Sequence, residues 1–390
     1  MFNKVKVFKS PLILFLILFF VSEAIYKYLK IIGLYELRIS GFVKFISQII
    51  MCYYILKNFK KNRESIVLIA FLIVSFFIFQ IGNFSIHMFL INVEIFNKYI
   101  FIIIIFLFFK SIPIEENKMI FQVFERLILL SVLLIFIGAI FHVDFFRTYF
   151  SNGKRFGYSG LLSKQSTVKY FFMIAIIFYI YNRRFNYKSL LTLFLIIFAG
   201  ILTGTKAVLL LLILLIPYLS FYLTLKYRKL FLFSLMILGS MMIFYFDTTV
   251  KTIFSASPVF LEVYNNDGIF TALSSYRNEL FFEHFITVLK NNWNLIDFLF
   301  GSRGHTIDYF RTGFAFADMI LIFGIFGAII YIILYYKNIL SFKFNYKNGY
   351  LIIVFFLVIS ISGNFFPNAS VAIYMLILNL KFNEPCNIKQ

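Results

Sequence analysis

The chain is short of charge, and shorter still of acid. Only 14% of its 390 residues are Asp, Glu, Lys or Arg, where a soluble domain carries roughly a quarter. That excludes an ordinary soluble domain. There are two cysteines, Cys52 and Cys386. Their spacing suits neither a disulfide framework nor a zinc site. No Asp-x-Asp pair and no histidine cluster offers a metal site, and nothing implies a cofactor. The first apolar run, 11–21, follows Lys4, Lys6 and Lys9 but lacks a clear small-x-small cleavage site, and Glu23 lies just beyond it. It reads as a retained first helix rather than a removed signal peptide.

What fills the chain is apolar sequence in blocks. Hydrophobic residues make up 62%, in repeated runs of membrane-crossing length. Twelve segments can be drawn, at about 9–22, 39–56, 65–81, 96–110, 119–141, 166–182, 189–203, 206–225, 230–246, 316–336, 349–363 and 368–380. The expected fold is an all-α integral membrane protein, one polytopic domain over 1–390, with about 12 transmembrane helices.

The net charge of +20 raises the question of nucleic acid. Its distribution answers against it. With the N-terminus in the cytoplasm, alternate loops such as KNFKKNRE (57–64), NRR (182–184) and KYRK (226–229) are cytoplasmic. The cytoplasmic pieces hold 20 of the 37 Lys and Arg but 4 of the 17 acids, which is +16 of the +20. The basic excess is an orientation signal, and both termini come out cytoplasmic.

Two external loops are long. One spans 142–165 and contains NGKRFGYSG (152–160). The other, 247–315, is nearly 70 residues long and joins the ninth and tenth helices. A loop of that length is usually functional or disordered, and its aromatic and aliphatic content argues for order. Within it, 275–292 reads as an amphipathic surface helix. Ser275 is the expected N-cap and Glu279 lies in the first turn. Phe281, Phe285, Val288 and Leu289 share one face, and Arg277 and His284 lie at its edge. Such a helix is expected on the membrane surface, with Arg277 aimed towards the protein.

Ionisable residues near membrane segments are costly and are functional candidates. Here Arg155, Lys206, Arg277, Arg303, His305, Arg311 and Asp318 collect at the external side. Each has a plainer explanation. The arginines can touch headgroups, Lys206 can snorkel, His305 can be an exposed loop residue, and Asp318 can cap the tenth helix. Together they suit an anion such as phosphate or pyrophosphate on a membrane-borne substrate. Arg grips phosphate oxygens in a bidentate manner, and glycine-rich backbone can approach them.

The ordered pieces RFGYSGLL (155–162), TGTKAVLL (203–210), LFGSRG (299–304) and ADMILIFGIFG (317–327) resemble those of the polytopic O-antigen polymerases (Wzy-type) and the related O-antigen ligases. The resemblance covers about residues 140–335. It departs from the family at SKQS (163–166), where Asn-Pro-Asn is common. No Arg-x10-Gly pattern follows Arg155, Arg277 or Arg303. Gly313-Phe314 stands where ligases carry His-Asn, which disfavours a ligase. The resemblance implies a metal-independent membrane glycosyltransferase of the bacterial inner membrane. Such an enzyme transfers a growing glycan from undecaprenyl pyrophosphate to the terminal sugar of another lipid-linked unit, for O-antigen or capsule. Its implied partners are the undecaprenyl-pyrophosphate-linked oligosaccharide, membrane lipids and a chain-length regulator, with no nucleic acid. Arg155, Lys206, Arg303 and Arg311 would bind pyrophosphate. Arg277, His305 and Asp318 would serve catalysis, with His305 or Asp318 taking the acceptor proton. A lipid-linked oligosaccharide flippase or other transporter is the rival from a different class. It would call for internal repeats, broken helices and charges near mid-membrane. A non-catalytic membrane sensor or assembly partner is a third.

Overall fold

A computed structural model describes residues 10–34, 36–80, 85–112, 117–149, 156–181, 187–220, 258–291, 293–301, 312–340 and 344–384, with Phe342 and isolated residues between 229 and 255. The chain is all-α. No strand occurs among the described residues, only an isolated bridge between Arg147 and Tyr158. The helices are α1 (Pro11–Ile31), α2 (Ile39–Lys57), α3 (Phe59–Gln80), α4 (Ile86–Ser111), α5 (Asn117–Phe141), α6 (Gln165–Tyr181), α7 (Tyr187–Leu202) and α8 (Lys206–Ser220). They continue with α9 (Pro258–Ser274), α10 (277–291, with a wide turn over Leu280–Ile286), α11 (Leu295–Phe300), α12 (Ala315–Ile339), α13 (Tyr346–Ser362) and α14 (Ala369–Asn383). Five stretches are long and apolar enough to cross a membrane: α1, α2, Phe89–Ser111 of α4, α5 and α12. Five more are apolar but shorter, in α6, α7, α8, α13 and α14. The expected ninth segment, 230–246, lies largely outside the described residues.

Local sequence sets the helix starts. Pro11 opens α1, where its fixed φ suits the first turn and its missing N–H costs nothing. Asn345 caps α13 by accepting from Lys347 N and Asn348 N, and the Asn348 side chain accepts from Asn345 N in return. Asn368 caps α14 through Val371 N.

Burial sets the layering. α6 is buried from Thr167 to Tyr181, and α14 from Ala369 to Asn379. Helices apolar all round are driven to the centre. Phe171 and Phe124 both pack on Tyr374, which joins α6, α5 and α14. α2 is the opposite case. It buries Ser40, Ser47, Met51 and Ile55 and exposes Phe42, Phe45 and Tyr53, as a helix facing lipid does.

Side-chain contacts define two ends of the bundle. At one, Asn62 meets Ser111, Lys110 meets Asn338 and Lys337 meets Glu64. We term this the basic end. At the other, the loops after α5, α7, α9, α11 and α13 come together, and we term it the loop end. Several helices run past their apolar segments here. α1 continues through Ser22, Glu23 and Lys27, all three buried. α4 starts ten residues before the apolar segment expected from position 96.

The 275–292 region differs from expectation at its start. Ser275 is not the cap. Ser275 and Tyr276 both have positive φ, 58° and 63°, and the helix begins at Arg277. The chain reverses there between α9 and α10, so Ser275 belongs to the turn. The apolar face of α10 also meets protein. Phe281, Phe285 and Leu289 pack with Trp293, Phe314, Ala317 and Leu321, covering the start of α12. The side chains of His284 and Val288 lie outside the described residues.

Candidate anion-binding site at the loop end

The glycine-rich stretches place the site by letting backbones touch. A Cβ on Gly157 would lie 2.5 Å from the Thr203 carbonyl oxygen, and one on Gly204 would strike the Phe156 carbonyl. Tyr158 N donates to Leu202 O at 2.9 Å, and Thr148 N to Gly157 O at 2.9 Å. The described part of NGKRFGYSG is therefore braced against the TGTK turn, backbone on backbone. A second crossing brings Gly363 onto the Gly313 carbonyl. At φ of +59° and with no room for a Cβ, position 363 requires glycine.

Arg277 lies on that second crossing. Its guanidinium Nη1 donates to Ile361 O at 2.7 Å. Its side chain lies across Gly313, where a Cβ would come within 2.8 Å of Nε. The turn that aims it is pinned from both sides. Lys206, the first residue of α8, donates to Ala272 O and, at 2.9 Å, to Ser275 Oγ. Asn278 donates to Thr271 Oγ1 at 2.9 Å. Asp318 holds the strip beneath, its Oδ1 accepting from Thr312 N at 2.8 Å, Thr312 Oγ1 at 2.9 Å and Gly313 N at 3.3 Å. Burial pulls the Arg277 pKa down from its usual value, and Tyr170, Asp318 and Tyr149 offset this. Lys206, Arg277 and Asp318 thus share one neighbourhood.

Two residues that the sequence did not single out complete it. Lys169, 6% exposed, donates to Ser362 O and, at 3.1 Å, to Gly363 O. The Tyr170 hydroxyl donates to Gly363 O at 2.5 Å and pairs with Ser362 Oγ at 2.8 Å. Arg277, Lys169 and Tyr170 therefore gather round the last carbonyls of α13. A helix C-terminus carries partial negative charge and unpaired carbonyls, so cations settle there. The arrangement leaves one neighbouring cation, Lys169, and one carboxylate, Asp318, around half-buried Arg277.

A further charged cluster lies nearby, on α1, α2 and the approach to α6. Glu23, fully buried, accepts from Lys44 at 2.5 Å, from Ser163, from Ser40 at 3.4 Å and from Ser370 at 3.5 Å. Lys27, 1% exposed, donates to Ser159 Oγ and Gly160 O, both at 2.6 Å. The available signal was an acid and a base four residues apart at the end of an apolar run.

Arg155, Arg303, His305 and Arg311 lie outside the described residues. Tyr149 is an electrostatic neighbour of Arg277, and Thr312 is bonded to Asp318. Among the described residues no three His, Cys, Asp or Glu side chains are placed to hold a metal ion. Chemically, the arrangement offers a half-buried guanidinium, Arg277, beside two backbone crossings. Comparison with protein-family models, with curated proteins and with solved structures finds no match to this chain.

Proposed function

We propose that this chain is a membrane glycan polymerase. It would transfer a growing oligosaccharide from undecaprenyl pyrophosphate to the terminal sugar of a second lipid-linked unit. The observation that supports it best is the gathering of Lys206, Arg277 and Asp318 with Lys169 and Tyr170 at the loop end. The proposal keeps twelve spans, cytoplasmic termini and an outward-facing loop end in a bacterial inner membrane. The acceptor hydroxyl attacks the anomeric carbon, the bond from that carbon to the pyrophosphate oxygen breaks, and the hydroxyl proton passes to a base. Arg277 stabilises the departing pyrophosphate, where a fixed cation counts most. Asp318 fits a positioning role better than that of base, because its Oδ1 already accepts three hydrogen bonds. His305 then takes the proton. Arg155, Arg303 and Arg311 supply further phosphate contacts.

A transporter reading has an observation of its own. α12 is broken at Gly324 (φ 66°, ψ −179°), and broken helices mark many transporter sites. Deletion of the gene separates the two. Loss of a polymerase leaves single repeat units on the surface acceptor, so a ladder of glycan lengths collapses to one short band. Loss of a flippase removes the surface glycan altogether, and that outcome would refute the polymerase proposal.

A further inference from the structure

Helix α11, sequence LIDFLF, is turned inside out for a helix in water. Its acid, Asp297, is 4% exposed, whereas Leu295, Ile296 and Leu299 are 76%, 42% and 39% exposed. The cap, Asn294, is exposed at the start of the helix and is tied to the buried acid. Asn294 accepts from Ile296 N and Asp297 N, and Asp297 accepts from Asn294 N. An exposed apolar face with a buried acid suits hydrocarbon as the surroundings.

The far end of α11 leaves the rim. A Cβ on Gly301 would lie 2.7 Å from the Ile322 carbonyl oxygen, and one on Gly324 would strike the Leu299 carbonyl. The end of α11 thus covers the break in α12. Irregular backbone at membrane depth survives only where protein or trapped water satisfies it, and residues 299–301 give that cover. Depth follows from the opposite rim, which Lys337 marks through Glu64. Gly324 to Lys337 is about 20 Å of helix at 1.5 Å per residue. Against a hydrocarbon thickness of about 30 Å, that puts Leu299 roughly 10 Å inside. α11 packs on both α12 and α3. Its exposed face continues into a belt of exposed apolar side chains, Ile325 and Phe326 on α12 and Phe71 and Val74 on α3. Phe71 and Phe326 touch edge to face, 5.6 Å between centroids.

We propose that α11 is a re-entrant helix whose Leu295, Ile296 and Leu299 face is buried in the hydrocarbon of the bilayer. It enters from the loop end, covers the break at Gly324 and anchors the α10–α11 segment, and with it Arg277, at a fixed height above the lipid. The inference rests on the placement of these helices and stands apart from the polymerase proposal.

The test uses the full chain in lipid vesicles. In a background of Cys52→Ser and Cys386→Ser, nitroxide labels are placed on Leu295→Cys, Leu299→Cys and Glu283→Cys. The labels on Leu295→Cys and Leu299→Cys should collide more with oxygen, which concentrates in hydrocarbon, than with a water-soluble nickel chelate. The label on Glu283→Cys, from an exposed site on α10, should show the reverse. Nickel access at all three positions would overturn the proposal. So would closure of the first two to both colliders, which would mean a covering protein or second copy. Trp293 gives a check without substitution. It is the single tryptophan of the chain and packs on Phe298 at 5.3 Å. Vesicles of lipids brominated near the headgroup end of their chains should quench its fluorescence; equal emission with and without bromine would contradict the insertion.

Discussion

At the basic end, Lys337 meets Glu64 with both side chains in solvent, 45% and 79% exposed. At the loop end, Lys44 meets Glu23 with exposures of 16% and 0%. The two pairs have the same chemistry in different surroundings. An exposed pair is screened and gives up side-chain freedom for little gain, so this pair adds little to the stability of the basic end. A buried pair breaks badly, because removal of one partner strands the other. The loop end also directs cations at backbone carbonyls. Lys27 holds Gly160, Lys169 holds Ser362 and Gly363, Lys206 holds Ala272, and Arg277 holds Ile361. Positive charge there fastens loops into one platform, on which Arg277 sits half-buried.

The comparison breaks most completely if the two ends face the same side. Topology reporters fused after Lys229 and after Asn292 should score on opposite sides of the membrane, with Asn292 external. Two cytoplasmic scores would remove the external site. Next in size is the contrast between the ion pairs. Glu23→Gln should lower stability by removing the buried carboxylate that part-buried Lys44 pairs with, read as a lower melting temperature in detergent. Glu64→Gln should leave that temperature unchanged, and equal shifts would erase the distinction drawn between the ends. Gly363→Ala sharpens it further. The new methyl group meets the Gly313 carbonyl in a left-handed backbone, for a cost of about 2–4 kcal/mol from overpacking and strain. A melting temperature like that of the unsubstituted chain would show that the crossing is loose.

Much of the helical frame was legible, because membrane helices announce themselves by long apolar runs. Their polar ends were not. Glu23 and Lys27 look like the point where the first helix leaves the membrane, yet both point into protein. Lys169 drew no attention in the sequence, because its burial depends on the end of α13, far away in the chain. The glycines of RFGYSG stood out as backbone able to approach an anion. Their need is steric and mutual, since Gly157 and Gly204 face each other's neighbours, and no local pattern reveals a partner. Ser275 fitted an N-cap by type, but the reversal at Ser275 and Tyr276 moved the helix start to Arg277. Arg277, Lys206 and Asp318 were visible as charged residues. Their meeting depends on the 271–278 turn and on the Gly313–Gly363 crossing, which only the fold supplies.

The most direct measurement is the glycan length distribution made by cells carrying Arg277→Lys, with Lys290→Ala as the matched control on the exposed side of α10. Arg277→Lys keeps the charge but loses the planar fork. If Arg277 holds the departing pyrophosphate, polymerisation should fall by about 10²–10³, or ~2–4 kcal/mol at the transition state. Protein level should be unchanged, and Lys290→Ala should match the unsubstituted chain. Equal length distributions for Arg277→Lys, Lys290→Ala and the unsubstituted protein would remove Arg277 from the site and contradict the account.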